Sequence, residues 1–289
     1  MLKFTSQPRH ETVDIQIPYR ATQDEELTET LIEAIGILVA AIGSARGQDI
    51  SGDPEDLRWT KEFLVGFALL AIGEARSMLL LLSDNLNRHA RVHLRSMYEY
   101  ELRVKILLAD PKKGLMFRDS LAYEMRDLCK RLGGSMEAIN KEIAESLGID
   151  DTTQIVGAKE KDAFGGSVRN QMKDEIAPEQ RYIGTFAWAS LVSHGSILSL
   201  RELARVTQGA TNDLLARSAE DDKGNVLLYN ASWLTLGFAG NLYSKFGVSI
   251  AGMEMVANKI IAINKRLTIV SPEQEDRALK ARAAHMKKG

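Results

Sequence analysis

The residues best suited to chemistry lie on one predicted helix, 85–109, in which arginines recur every three or four positions. At about 100° per residue the charged side chains form one line: Arg88, Arg91, Arg95 and Glu99. The line then continues into apolar residues, which predicts a polar cleft leading into the core. Partly buried charges are costly unless paired, so Arg95 and Glu99 are expected to contact each other or a third polar group. The alternative is a solvated basic face with one structural ion pair.

A second polar cluster falls on the predicted helix 182–208. Ser190 and His194 are four residues apart and share a face, and Arg201 follows on the same side. The pKa of an unperturbed histidine lies near neutrality, which suits proton transfer. The alternative is a core histidine that hydrogen-bonds to Ser190. No nearby acid completes a Ser-His-acid triad, and Gly-x-Ser-x-Gly is absent.

Several other chemistries lack their motifs. The chain has neither the phosphate-binding loop GxxxxGK[ST] nor a GxGxxG that follows a strand. His89 and His93 have a zinc-compatible spacing, but Ala90 stands where a metalloprotease has glutamate, and no third ligand is evident. The Glu-x-x-His pairs of di-iron bundles are absent. The sequence therefore predicts neither a metal nor a cofactor, and Cys129 is interpreted as a packing residue.

The two clusters together carry a family resemblance. The helix with Arg95-Ser-Met-Tyr-Glu99 and the later Ser190-x-x-x-His194-Gly segment resemble an uncharacterised bacterial helical family related to HEPN domains. The resemblance covers roughly residues 60–210. The HEPN ribonuclease signature is Arg-x(4–6)-His with a polar residue after the arginine. Arg88 and His93 have that spacing, but His89 follows the arginine where Asn or Asp is usual, so the chain departs from the signature there.

This resemblance implies a helical bundle that dimerises and acts as a metal-independent RNase or RNA-binding component of toxin–antitoxin or phage-defence systems. His194 would be the general base on a ribose hydroxyl, with Arg95 and Glu99 in the catalytic group. The phosphate-binding set would be Arg88, Arg91, Ser190 and Arg201. Two alternatives stay open: a non-catalytic helical module for dimerisation or binding of a cognate partner protein, and a small-molecule or nucleotide sensor.

Helical periodicity runs through nearly the whole chain and predicts an all-α bundle with peripheral helices. The predicted organisation is an N-terminal arm (1–23), a helical domain (24–270) and a basic C-terminal helix or tail (271–289). The segment 149–181 has the weakest pattern and is predicted to be a long loop or insertion. The predicted helices span 25–45, 54–83, 85–109, 114–132, 135–147, 158–176, 182–208, 225–246, 249–267 and 272–287.

Composition bounds the location and the partners. The net charge is −2, so an RNA-binding site would have to be a local basic patch. A single cysteine excludes an intramolecular disulfide, and the N-terminus has no apolar signal region. The longest uninterrupted apolar runs fall short of the roughly 20 residues of a membrane span, so a cytoplasmic protein without membrane contact is expected. The predicted helices 225–246 and 249–267 are apolar on more than one face, which predicts a homodimer. The alternative is that both are central helices of a single bundle.

Overall fold

The described elements are all α-helices. A computed structural model describes residues 24–84, 86–131, 133, 135–147, 163–164, 171, 224–248 and 251–267. The helices are α1 (Glu25–Arg46), α2 (Glu55–Ser83), α3 (Asn87–Ala109), α4 (Lys112–Arg131), α5 (Met136–Leu147), α6 (Gly224–Phe246) and α7 (Met253–Leu267). These ranges contain no β-strand, so the predicted helical bundle is confirmed there.

Helix α1 begins where the sequence supplies a cap. The Asp24 carboxylate accepts a hydrogen bond of 3.0 Å from the Leu27 amide, which satisfies one of the free N–H groups of the first turn. The Asp24 amide donates to Asn225 Oδ1 at 2.8 Å, and Arg266 Nη2 lies 3.0 Å from Asp24 Oδ2. Asp24 therefore joins the start of α1 to both α6 and α7.

Helix α6 is the centre of the bundle. It packs against α1, α2, α3 and α7, and twelve of its residues are buried. A helix that is apolar all round is expected to be enclosed by neighbours. These neighbours account for the apolar faces of α6 within one chain, so homodimerisation stays a prediction. Tyr98 ties α3 to α6 by donating a 2.9 Å hydrogen bond to Asn230 Oδ1.

Helices α2, α3 and α4 form the layer that carries the candidate site. Helix α2 packs along α3 and α4, and α5 lies on α4. Aromatic rings join the three helices: Phe63 and Phe117 centroids are 4.7 Å apart, and those of Phe67 and Tyr100 are 5.8 Å apart. At Gly114 a Cβ would lie 2.7 Å from Thr60 Oγ1, so α2 and α4 approach closely only because this residue has no side chain.

Some predicted helix boundaries were wrong. The sequence suggested that Asp84 or Asn85 caps α3, but its N-cap is Leu86, which provides no side-chain hydrogen bond. Asp84 instead ends α2. Helix α7 begins at Met253 rather than 249, because Gly252 has a φ of 83° that breaks the helical backbone. The predicted helices 182–208 and 272–287 lie outside the described residues.

Two described helices, α1 and α2, are long and apolar enough to cross a membrane by length and composition. Core helices of a soluble bundle pass the same test. Both helices also expose large apolar side chains: Ile32, Val39, Leu69, Leu70 and Leu80.

Candidate functional site

The candidate site is the side of α3 opposite most of the residues that this helix buries in the core. At about 100° per residue, Arg95 and Glu99 lie at one edge of this side, and His93 and Tyr100 lie about 130° away at the other edge. Between the edges lies a strip that we call the open face of α3. It consists of the exposed His89 and the partly exposed Val92, Ser96 and Arg103. The guanidinium carbon of Arg103 lies 5.6 Å from the ring centroid of the buried Phe164, so this end of the face is partly covered.

The first edge holds an ion pair. Arg95 Nε donates to Glu99 Oε1 at 3.0 Å, one helical turn away. The two side chains are 22% and 25% exposed, so the pair is half-buried. Glu99 fixes the direction of the Arg95 guanidinium and uses one N–H group. A guanidinium has five N–H donors in a planar fork, and this geometry suits the recognition of a phosphate oxygen.

The other predicted arginines differ in position. Arg91 is 3% exposed and sits in the core-facing side of α3, because its direction on the helix lies about 40° from that of Arg95 toward the bundle. A phosphate arriving from solvent would therefore meet Arg95 and not Arg91. The backbone of Arg88 belongs to the first turn of α3. Ser190, His194 and Arg201 lie outside the described residues, so the predicted meeting of Arg95, Glu99 and His194 stays a prediction.

The second edge holds a network that sequence reasoning missed. His93 Nδ1 lies 2.5 Å from Glu74 Oε2, and the Tyr100 hydroxyl donates to Glu74 Oε1 at 3.1 Å. The side chains of His93 and Glu74 are 29% and 20% exposed. Glu74 belongs to α2, and the other two residues lie two turns apart on α3. The network therefore fixes a histidine at the boundary between two helices.

The environment of Tyr100 reflects the carboxylate beside it. Burial raises the pKa of Tyr100 above its usual value, and the charge and hydrogen bond of Glu74 raise it further. Arg103 lowers the pKa, while Glu99 adds to the increase. The phenol is thus held in its protonated form, which is the form that donates to Glu74.

The sequence contained a signal for this network. Glu74 is the only charged residue in the stretch 63–75 (FLVGFALLAIGEA) of α2. A lone carboxylate in an apolar helix is expected to have a partner, because an unpaired charge there is costly. The sequence did not indicate which residue of α3 would face it.

A third polar cluster joins α2 to α4. Arg118 Nη1 lies 2.5 Å from Glu55 Oε1, Nη2 lies 2.7 Å from Asp119 Oδ1, and the guanidinium carbon is 5.6 Å from the ring centroid of Trp59. Two carboxylates and one ring surround this cation, so we interpret the cluster as structural. Among the described residues no group of three or more His, Cys, Asp or Glu side chains is arranged to hold a metal ion.

Comparison of the chain with protein-family models, with curated proteins and with solved structures found no match. The resemblance to HEPN domains therefore stays a prediction.

Proposed function

We propose that this protein is a HEPN-like helical protein that binds RNA along the open face of α3 and cleaves it without a metal ion. The observation that carries the proposal is the arrangement of the two edges. A guanidinium oriented by Glu99 stands on one edge, and an imidazole oriented by Glu74 stands on the other. A role in toxin–antitoxin or phage defence in the cytoplasm is part of the same proposal.

RNA cleavage needs a group that binds the phosphate and a group that accepts a proton, and the two edges of the open face provide one of each. A side-chain-clad helix is about 10–12 Å across, so edges 130° apart are separated by about 10 Å. Arg95 would bind a phosphate oxygen and fix the backbone of a strand that lies across the open face. A histidine would accept the proton of a ribose 2′-hydroxyl. His194 is the candidate from the sequence, and His93 is the candidate that the described geometry supports.

The reaction balances without a cofactor. The 2′-hydroxyl proton moves to the imidazole, the 2′-oxygen bonds to phosphorus, and the bond from phosphorus to the 5′-oxygen breaks. The 5′-oxygen then takes a proton from the imidazolium or from water. The products are a 2′,3′-cyclic phosphate and a 5′-hydroxyl end. General base catalysis of this kind contributes about 10²- to 10⁴-fold in rate.

The test is RNA cleavage by the full chain in the presence of a chelator. We expect products with cyclic-phosphate ends, and no cleavage of a strand that has 2′-deoxyribose at the scissile position. Of the two variants His93→Ala and His194→Ala, the one that removes the general base is expected to lose about 10²- to 10⁴-fold in kcat. Tyr123→Ala is the control, because Tyr123 is an exposed ring on α4, outside the open face of α3. The proposal would be contradicted if the full chain neither cleaved nor bound any RNA.

The phosphate contact has its own control. Arg95→Gln is expected to weaken RNA binding and to reduce its salt dependence by about one phosphate contact. Arg131→Gln removes the same charge from an Asp127–Arg131 pair that is also one turn long but 75% exposed at the arginine, on α4. Equal weakening by both changes would indicate a non-specific charge effect and not a site at Arg95.

A second candidate function is a non-catalytic helical module for dimerisation or partner binding. The observation in its favour is that Arg95 and His93 both pair with carboxylates of their own chain. In that case Arg95→Gln and His93→Ala would each lower the free energy of unfolding, and neither would change an RNA-dependent property. The third alternative, a small-molecule or nucleotide sensor, would use the same face and would show nucleotide binding without cleavage.

A further inference from the structure

Both oxygens of the Glu74 carboxylate have a partner on α3. Oε2 meets His93 Nδ1 at 2.5 Å, and Oε1 accepts from the Tyr100 hydroxyl at 3.1 Å. His93 and Tyr100 are seven residues apart, which is about 20° short of two full turns, so they lie on the same side of α3. Their spacing lets one carboxylate on α2 reach both.

This contact determines which ring nitrogen of His93 carries the proton. An ionised carboxylate only accepts hydrogen bonds, so Nδ1 must be protonated and must donate. In the neutral imidazole Nε2 then keeps its lone pair, on the side of the ring away from Glu74. Free histidine in water favours the opposite tautomer. Glu74 therefore selects the form in which the outward nitrogen is a proton acceptor.

Tyr100 restricts the carboxylate that makes this selection. With Oε1 engaged by the phenol, Glu74 is held with Oε2 toward His93. The Tyr100 ring is itself placed by Phe67, whose ring centroid is 5.8 Å away. Glu99 and Arg103 are the other charged groups that act on Tyr100: Arg103 lowers its pKa and Glu99 raises it, and the Glu74 charge has a larger effect than either.

We propose that Glu74 and Tyr100 are positioning residues that hold His93 as the Nδ1–H tautomer, with Nε2 as the proton acceptor at the edge of the open face. The consequence for RNA cleavage rests on the function proposed above, whereas the tautomer itself does not. When Nε2 accepts a proton from a ligand hydroxyl, the O–H bond breaks, an imidazolium forms, and the Glu74 carboxylate balances its charge.

The first test is nitrogen NMR of the full chain with labelled histidine, at a pH where the imidazoles are neutral. The His93 signals, assigned by their loss in His93→Gln, are expected to show a protonated Nδ1 and an unprotonated Nε2. Glu74→Gln should reverse them, because its amide can donate to Nδ1 and leaves the proton on Nε2. A protonated Nε2 in the unaltered protein would overturn the proposal.

The second test is kinetic and separates this inference from the proposed function. If the chain cleaves RNA, Glu74→Gln is expected to lower kcat by about 10²- to 10⁴-fold with little change in KM, since a wrong tautomer removes the base and not the binding. Tyr100→Phe is expected to lower kcat less and to keep the Nδ1–H tautomer. An unchanged kcat in both variants would overturn the positioning role. If no RNA is cleaved, the proposed function fails and the NMR result alone decides the inference.

Discussion

Tyr100 is the residue whose titration reports most directly on the network at the edge of α3. Its pKa is raised by burial first and by the Glu74 charge second, so removing that charge should bring the pKa down part of the way. We expect Glu74→Gln to lower the Tyr100 pKa, yet to leave it above that of a fully exposed tyrosine. Phenolate absorbance during alkaline titration, compared with Tyr100→Phe, measures this.

The direction in which the Tyr100 pKa is shifted determines how this residue makes the folding stability depend on pH. A raised pKa favours the neutral phenol in the folded state, so this contribution is fully present below the ordinary tyrosine value of about 10. It is lost as the pH rises through the raised pKa. Glu74→Gln should therefore reduce the loss of folding free energy that the protein shows as the pH rises above the ordinary tyrosine pKa. A Tyr100 pKa that rose on this substitution would contradict the network.

At this scale, the sequence predicted one polar contact and missed another for a simple reason. Arg95 and Glu99 are one turn apart on a single helix, so local geometry alone brings them together. Glu74 and His93 are on different helices, and their contact depends on how α2 slides and rotates against α3. No local pattern determines that register.

Among the helices, the close crossing of α2 and α4 gives the sharpest prediction. Gly114→Ala would place a methyl group against the buried Thr60, whose hydroxyl donates to Pro111 O, so the helices must separate. We expect a loss of about 1–3 kcal/mol in the free energy of unfolding, the usual cost of overpacking. Urea denaturation followed by circular dichroism measures it.

Gly66 in α2 is the matched control. A Cβ at Gly66 would meet nothing within 4 Å, so Gly66→Ala is expected to stabilise the helix by about 0.5–1 kcal/mol through its higher helix propensity. Opposite signs for the two glycine changes would show that contact, and not propensity, dominates at Gly114. A loss of similar size at both sites would contradict this reading of the crossing.

The helices themselves were largely predictable, because apolar periodicity reports which residues face a core. The seven described helices all fall within predicted ones, apart from a few residues at their ends. The ends were less predictable where they depend on tertiary contact. Helix α3 starts at Asn87, and its N-cap Leu86 provides no side-chain hydrogen bond, so we attribute this start to packing against α2 and α6.

For the whole molecule, the central place of α6 predicts that two aromatic residues of that helix differ strongly in how much stability their truncation to alanine costs. Phe238 is 1% exposed at the centre of the bundle, and Tyr243 is 55% exposed. We expect Phe238→Ala to cost about 3–5 kcal/mol and Tyr243→Ala to stay within about 0.5 kcal/mol. Thermal and urea unfolding of both variants measure the difference. Similar losses would place α6 at the surface and not at the centre.

Homodimerisation is the remaining prediction at this scale. The exposed apolar side chains of α1 and α2 offer a described surface that a second copy would cover. Light scattering at micromolar concentration is expected to give twice 32.0 kDa, and Leu70→Glu is expected to return the mass to that of one chain. A single-chain mass for the unaltered protein would rule the prediction out.

The packing of α1 against α6 also sets the order of events during synthesis. Helix α1 ends at Arg46 and α6 begins at Gly224, so the ribosome must add nearly two hundred residues before α1 meets its main neighbour. At about 5–20 residues per second, this takes about 10 to 40 s. Throughout that interval, α2 can cover part of α1, but the face of α1 that packs against α6 stays exposed. We therefore expect this protein to depend on chaperones while it is being translated, and the dependence should end once α6 leaves the ribosome.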